Sequence, residues 1–254
     1  MSALEGKIVL ITGVARGCGK LLAESFAGER ASIVGCDIDA DGLAATDSAI
    51  RASGGIADLS VADVSDADAM TSLVQRALDA NGGLDGAVNN AATETTGAVE
   101  HADLAAFDRL LDVNLKGVLH CMQAEIPAIR ARGGGAIVNM SSVTSDITAV
   151  PANGAYAATK GGVDALTKAA AVEVAKDNIS VNALAFAAID IPGDMIWRFL
   201  EAQQIDASAL MAAFPIGRMG RPEELVAAVR YLLSDDARYV TGTTLVLDGG
   251  YTAQ

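Results

Sequence analysis

The segment "GAYAATKGG", residues 154–162, places Tyr156 four residues before Lys160 among small side chains. On a helix this spacing puts both side chains on one face. An ammonium about 4 Å from a phenol, at an effective dielectric near 20, stabilises the phenolate by about 4 kcal/mol. Such a contact would lower the pKa of Tyr156 towards working pH, where proton transfer is efficient. We therefore expect an acid–base pair; a packed ring beside a solvated amine is the alternative.

A second pattern that could do chemistry is the glycine-rich stretch "TGVARGCG", residues 12–19, which follows a short β-branched run. Gly13, Gly17 and Gly19 allow a tight turn that brings backbone N–H groups and a helix N-terminus against a pyrophosphate. Leu22 stands where the usual third glycine of a dinucleotide fingerprint would fall. Asp37 ends the next apolar run, at about the distance expected of an acid that binds the adenosine ribose. A structural turn and a surface acid are the alternative.

These residues need a scaffold, and the chain alternates short apolar runs with longer helical patterns. Helical patterns are predicted near 18–28, 40–52, 66–80, 103–130, 155–176 and 222–234. Strands are predicted at 7–12, 31–37, within 56–64, and at 84–92, 135–142, 179–186 and 243–250. This alternation predicts an α/β fold with a doubly wound, parallel, seven-stranded sheet of Rossmann type and helices on both faces. Residues 1–254 are expected to form a single domain, with 190–215 as a helical insertion that covers the substrate.

Composition excludes several classes of function. The net charge of −14 disfavours binding to nucleic acid or to an anionic membrane. Cys18, Cys36 and Cys121 are widely spaced and form no C-x-x-C motif, which favours a reduced, cytoplasmic setting. The two histidines have no cysteine or carboxylate at ligand spacing, so no metal site is expected. No run is long enough for a signal sequence or a membrane span.

Several motifs together carry a resemblance to a known family. They are Thr12-Gly13-xxx-Gly17-x-Gly19, Asn89-Asn90-Ala91, Asn114, Ser142 and Tyr156-xxx-Lys160. In these the chain resembles the short-chain dehydrogenase/reductase family in its compact single-domain branch, over essentially its whole length. The resemblance implies a Rossmann-type fold, a nicotinamide cofactor and four catalytic residues. Asn114 would hold a water, Ser142 would position the substrate oxygen, Tyr156 would act as general acid and base, and Lys160 would activate it.

The resemblance also implies which residues contact the cofactor and the substrate. The expected cofactor contacts are Gly13, Arg16, Gly17, Cys18, Gly19, Asp37, Ile38, Asp63, Val64, Asn90, Ala91, Tyr156, Lys160, Ile189 and Ile191. The expected substrate contacts are Ser142, Thr144, Phe186 and Trp197. Asp37 predicts NAD(H) rather than NADP(H), although Arg16 in the turn would favour a phosphate. The apolar segment 190–215 predicts a partly hydrophobic substrate.

The chain departs from the family pattern at several positions. Ser142 lies one residue further from Tyr156 than is usual in the family. Ser141, Thr144 and Ser145 therefore remain alternatives for the hydroxyl that positions the substrate oxygen. Phe186-Ala187 replaces a frequent Pro-Gly, and Ile191 replaces a frequent Thr. These changes are either harmless or reshape the nicotinamide pocket and weaken its hold on the cofactor.

The favoured function is an NAD(H)-dependent oxidoreductase that interconverts a secondary alcohol and a ketone. A non-catalytic, redox-sensing dinucleotide-binding regulator is a second class, and a lyase or epimerase that shares the Tyr-xxx-Lys pair is a third. The two long helical patterns, the second rich in Ala and Gly, predict a homotetramer, because small residues allow helices to pair closely across a two-fold axis.

Overall fold

A seven-stranded parallel sheet with strand order β3-β2-β1-β4-β5-β6-β7 forms the centre of the molecule. The computed structural model describes residues 2–145, 147–204 and 206–254, and the side chains of all of these except residues 202 and 203. The strands are β1 Ile8–Thr12, β2 Ser32–Asp37, β3 Ile56–Val61, β4 Gly86–Asn89, β5 Gly135–Met140, β6 Ile179–Phe186 and β7 Thr244–Leu247. This architecture confirms the predicted fold class.

Helices follow the strands in the predicted alternation. They are α1 Gly17–Gly28, α2 Ala40–Ala52, α3 Ala67–Asn81, α4 Leu104–Leu110, α5 Gly117–Ala131, α6 Gly154–Val174, α7 Met195–Gln203, α8 Ala207–Ala212 and α9 Pro222–Leu233. Short 3₁₀ turns lie at Val99–His101, Ala175–Asp177, Asp235–Ala237 and Tyr251–Ala253. The continuous helix predicted over 103–130 is interrupted by a π-helical segment, Leu111–Lys116, between α4 and α5.

Both faces of the sheet are covered, which explains why β1 reads as an unbroken apolar run. All five residues of β1 are buried. On one face, α1, α2 and α9 pack through side chains such as Phe26, Ile50 and Val229. On the other face, α3, α5 and α6 pack through side chains such as Met70 and Ile129. Among the described residues, no helix combines the length and apolar character that crossing a membrane requires.

Local sequence signals fix where several helices begin. The Asp39 carboxylate accepts a hydrogen bond from the Gly42 N–H at the start of α2. The Asp66 carboxylate accepts from the N–H groups of Asp68 and Ala69 at the start of α3. Pro222 opens α9, as its fixed φ favours. These caps satisfy N–H groups that have no partner inside their own helix.

The strand order reverses between β1 and β4, and this creates a crevice outside the carboxyl ends of the strands. Gly13 follows β1 and Asn90 follows β4 at this crevice. In open parallel sheets, ligands bind at such a switch point. Between β6 and α9 the chain makes the excursion that contains α7 and α8.

Candidate active site

A cavity of about 490 Å³ lies at the carboxyl edge of the sheet. It brings together most of the residues that the sequence predicts for the site. These are Gly13, Arg16, Cys18, Asp37, Ile38, Asp63, Val64, Asn90, Ala91, Ser142, Thr144, Tyr156, Lys160, Phe186 and Ile189. Of the predicted residues, Gly17, Gly19, Asn114, Ile191 and Trp197 are not among those that line it.

The glycine turn is held against the end of β4 by a small set of hydrogen bonds. The Thr12 hydroxyl accepts from the N–H groups of Asn90 and Ala91, both at 3.0 Å. The Asn90 amide donates to the carbonyls of Thr12 at 3.0 Å and Gly13 at 3.2 Å. Gly13 has φ +75°, and a Cβ there would lie 2.9 Å from the Ala91 Cα. The turn therefore requires glycine for both its conformation and its close packing.

Asp37 sits at the end of β2 with its carboxylate fixed in place. Its Oδ2 accepts from the Ala15 N–H at 3.0 Å, and its Oδ1 accepts from the Asp39 N–H at 3.1 Å. Ile38, the next residue, is exposed. The carboxylate is therefore a rigid hydrogen-bond acceptor at one end of the cavity.

Asp63 lies near the same end and is held by neighbours on two sides. It accepts from the Ser65 hydroxyl at 2.7 Å, the Ser65 N–H at 2.9 Å and Arg109 at 3.1 Å. Burial alone would raise the pKa of Asp63, but these hydrogen bonds and the Arg109 charge together lower it. Asp63 is thus a stable anion at the cavity wall.

Tyr156 and Lys160 lie one turn apart on α6, as predicted. The Lys160 Nζ donates to the Met140 carbonyl at 2.7 Å and lies 5.6 Å from the centroid of the Tyr156 ring. Burial lowers the pKa of Lys160 to about 8, and the charge of Asp164 opposes this shift. The ammonium is therefore anchored to the backbone at the end of β5.

The predicted lowering of the Tyr156 pKa is wrong in this structure. Burial raises the pKa of Tyr156, and the negative charges of Glu94 and Asp194 raise it further. A hydrogen bond with Ser142 acts in the opposite direction. Acidic groups around the phenol and its removal from water outweigh the contact with Lys160 that the sequence suggests.

Ser142 is the hydroxyl that the structure brings to the phenol. Its Oγ lies 3.0 Å from the Thr144 Oγ1 and accepts from the Thr144 N–H at 3.2 Å. Thr144 also lines the cavity, as does Ser141. The Ser142 hydrogen bond acts to lower the pKa of Tyr156, which favours Ser142 as the hydroxyl that works with the phenol.

Asn114 lies behind the cavity wall, fully buried in the π-helical segment. Its Oδ1 accepts from the Thr93 N–H at 2.8 Å. Its Nδ2 donates to the Thr93 carbonyl at 2.8 Å and to the Thr159 hydroxyl at 3.2 Å. Asn114 therefore ties the segment after β4 to the helix turn that carries Lys160, and its predicted role in holding a water stays a prediction.

Two residues predicted to contact ligands, Trp197 and Ile191, do not line the cavity. The Trp197 indole N–H donates to Asp190 at 3.2 Å, and the cavity-facing residues of α7 are instead Met195, Ile196, Arg198 and Phe199. Ile191 packs against the apolar cluster of α1 and α9. The orientation of α7 about its own axis decides which of its side chains face the cavity. The sequence pattern does not predict this orientation.

Four charged residues that line the cavity were not predicted from the sequence, namely Glu94, Arg109, Asp194 and Arg198. Glu94 and Arg198 line it, and burial raises the pKa of Glu94 while Arg198 opposes that shift. Asp194 also lines it, and its Oδ2 accepts a hydrogen bond from the Cys18 thiol at 3.2 Å. A signal was present in the sequence, since Glu94 closely follows β4 and Asp194 follows β6 after Pro192-Gly193. Side chains just beyond the carboxyl ends of parallel strands belong to the crevice.

Known proteins share this fold and sequence pattern over the whole chain. The family model described as "Enoyl-(Acyl carrier protein) reductase" matches residues 13–252. A cyclohexanol dehydrogenase of an Acinetobacter species is 39% identical over 98% of this chain and 96% of its own length. A 3beta-hydroxysteroid dehydrogenase of Eggerthella lenta is 38% identical over 98% of this chain and 95% of its own length. The crystal structure of a levodione reductase superposes with a TM-score of 0.92 at 31% identity, covering 98% of this chain and 99% of that one.

Proposed function

Because the chain belongs to the short-chain dehydrogenase/reductase family, we propose that it is an NAD(H)-dependent oxidoreductase that interconverts a cyclic secondary alcohol and its ketone. The observation that carries this proposal is that one cavity is lined both by Asp37 and by Ser142, Tyr156 and Lys160. The relatives named above are dehydrogenases and a reductase, and two of them are named for cyclic alcohols. An oxidoreductase is therefore favoured over a non-catalytic regulator.

The residues present fit a nicotinamide dinucleotide. Gly13, Arg16 and Cys18 line the cavity, so the glycine turn and the start of α1 lie beside the space that the pyrophosphate would occupy. Asp37 offers carboxylate oxygens to ribose hydroxyls, while Ala62, Asp63 and Val64 line the cavity beside it. When bound, the nicotinamide would accept or supply the hydride.

The chain's own residues supply the proton chemistry. In oxidation, Tyr156 removes the proton of the substrate hydroxyl, and Ser142 donates a hydrogen bond to the substrate oxygen. Lys160, anchored on the Met140 carbonyl, provides positive charge beside the phenol. Reduction of the ketone runs through the same groups in reverse. Because Tyr156 has a raised pKa, its protonated form dominates at neutral pH, which suits it to act as the acid in reduction.

The preference for NAD(H) over NADP(H) rests on the charge of Asp37. A 2′-phosphate carries about −1.5 to −2 charges. At roughly 4–5 Å and an effective dielectric near 20, its repulsion by a carboxylate is on the order of several kcal/mol, or more than about 100-fold in affinity. Arg16 lines the same cavity and would attract the phosphate, but Ile38 adds no second positive charge.

The test is kcat/KM for cyclohexanol with NAD⁺ and with NADP⁺, followed through the absorbance of the reduced nicotinamide. We expect turnover with NAD⁺ and a lower kcat/KM with NADP⁺. The ratio of the two values should be smaller in Asp37→Ala, and the double variant Asp37→Ala/Ile38→Arg should prefer NADP⁺. Asp41→Ala, which removes an equal charge from the exposed first turn of α2, is the matched control. Equal or better efficiency of the unmodified protein with NADP⁺ would refute the assignment of Asp37. Binding of NADH with no turnover of any cyclic alcohol or ketone would favour the regulator.

The apolar wall of the cavity supports a partly hydrophobic substrate. Met195, Ile196, Phe199, Leu210 and Phe214 line it, all from the excursion between β6 and α9. We propose that residues 190–215 cover the substrate as a lid.

We further propose a homotetramer in which α5 and α6 pair with their counterparts across a two-fold axis. Light scattering that gives the mass of a monomer at micromolar concentration would contradict this assembly.

A further inference from the structure

The glycine turn is already in contact with an anion that belongs to the chain itself. The Asp194 Oδ2 accepts a hydrogen bond from the Cys18 thiol, in the first turn of α1, at 3.2 Å. A Cβ on Gly17, the first residue of α1, would collide with the Asp194 Oδ1. Both oxygens of this carboxylate therefore lie against the amino-terminal turn of α1.

This is the place where the sequence predicts the pyrophosphate of the cofactor. The first turn of α1 contains no acidic residue of its own, and its N-cap, Arg16, provides no side-chain cap. The free N–H groups and the positive end of the helix dipole at such a terminus favour a negative charge. Asp194 supplies that charge from a segment far along the chain.

Resting on the proposed function, we propose that Asp194 sets the affinity for the dinucleotide by competing with its pyrophosphate for the turn Gly13–Gly19. A bound pyrophosphate leaves two arrangements for the carboxylate. If Asp194 stays, two anions lie within a few ångström in a partly buried site and repel each other. If Asp194 swings away, the Cys18 hydrogen bond and the contact with the helix terminus are lost. Either arrangement weakens cofactor binding.

The surrounding charges are of both signs, and Arg16, in the turn itself, lines the cavity and would attract the pyrophosphate whether or not Asp194 is present. Asp194 raises the pKa of the Cys18 thiol, which keeps that group a neutral donor, although burial is the larger cause of the shift. Arg198 also lines the cavity, but Glu94 lies within its electrostatic reach. Asp37 and Asp63 add further negative charge along the same cavity.

The experiment measures NADH affinity by titration calorimetry for the parent, Asp194→Asn and Asp194→Ser. Asp190→Asn is the matched control, because it removes the same charge from the same segment. The Asp190 side chain is exposed and contacts Trp197, outside the cavity. We expect the Kd for NADH to fall at least fivefold in both Asp194 variants and to stay within twofold in Asp190→Asn. The increase in NADH affinity of the Asp194 variants should become smaller at higher salt concentration, since salt screens the repulsion between Asp194 and the pyrophosphate.

A second probe separates this inference from the proposed function. Inorganic pyrophosphate is titrated into the same four proteins, and the shift in melting temperature is recorded. A larger shift for the Asp194 variants supports the inference even if no variant binds NADH, in which case the proposed function fails alone. Unchanged or weaker binding of both probes by Asp194→Asn and Asp194→Ser would overturn the inference. A drop in melting temperature with no gain in affinity would also overturn it, because Asp194 would then only cap α1.

Discussion

Tyr156 and Lys160 are both driven towards their uncharged forms by burial. Burial raises the pKa of the phenol and lowers that of the amine to about 8. The groups that oppose these shifts are Ser142 for the phenol and Asp164 for the amine. At the scale of single residues, the chemistry of the site therefore depends on neighbours that are not themselves the proton donor or acceptor.

Replacing Tyr156 by Phe should reduce kcat by about two to four orders of magnitude. In the proposed mechanism the phenolic oxygen exchanges a proton with the substrate, and the variant keeps the ring that lines the cavity. Circular dichroism and the Kd for NADH should remain close to those of the parent. Activity within tenfold of the parent would show that another group transfers the proton.

Asp164→Asn should move the basic limb of the kcat/KM profile to lower pH. Asp164 is buried, both of its carboxylate oxygens have no hydrogen-bond partner among the described residues, and its charge supports the protonated state of Lys160. Without that charge, burial acts unopposed and Lys160 loses its proton at lower pH. Asp164→Asn should also be no less stable than the parent, since a buried amide needs less solvation than a carboxylate. An unchanged basic limb would show that Asp164 does not act through Lys160.

At the scale of elements, a buried network of side-chain hydrogen bonds joins the strands β4 and β5 to the helices α5 and α6. The Asn89 amide donates to Glu125 at 3.1 Å and to Asn139 at 2.9 Å, and Asn139 donates to the Thr167 hydroxyl at 2.9 Å. Burial raises the pKa of Glu125 to about 8, while the Asn89 hydrogen bond opposes the shift. A neutral carboxyl therefore lies between helix and sheet near neutral pH.

This buried carboxyl predicts how stability changes with pH. Below about pH 4.5, Glu125 is protonated in the folded and unfolded chains alike. Between about pH 4.5 and 8, only the unfolded chain ionises, so the free energy of unfolding of the parent decreases relative to that of Glu125→Gln. By about pH 8 the stability difference should have shifted towards the variant by a few kcal/mol from its value at about pH 4.5, since one pKa unit is about 1.4 kcal/mol. Urea unfolding at both ends of this range measures the difference, and a constant difference across it would contradict the prediction.

The elements were largely predictable from sequence, whereas their fine geometry was not. Continuous apolar runs identify buried parallel strands, and helical periods between them identify the crossovers. The π-helical segment was not predicted because no local pattern distinguishes it from an α-helix, and Asn114 within it is held by tertiary hydrogen bonds with Thr93 and Thr159. The contact of Cys18 with Asp194 joins positions 176 residues apart, and no local pattern signals it. The glycine turn, Asp37 and the Tyr156/Lys160 pair were found because each has a fixed spacing that its chemistry requires.

At the scale of the whole molecule, α6 presents an apolar side chain to its surroundings. Val172 is 82% exposed on this helix. If α6 pairs with a second copy as proposed, Val172→Glu should place like charges together in the interface and reduce the assembled mass by half or more. Light scattering measures the mass, and circular dichroism tests that the fold is kept. Ile56→Glu, at an exposed position on the edge strand β3, is the matched control and should leave the assembly intact.

The position of β1 inside the sheet also determines when the nascent chain can complete its pairing. β1 pairs with β2 on one side and with β4 on the other. During translation, β2 and β3 leave the ribosome before residues 86–89 have been made. Until then β1 keeps one row of backbone hydrogen-bonding groups open, flanked by the apolar side chains of Ile8, Val9 and Leu10. An unpaired apolar edge is a site for wrong association, so β1 is open to such association until β4 has been made.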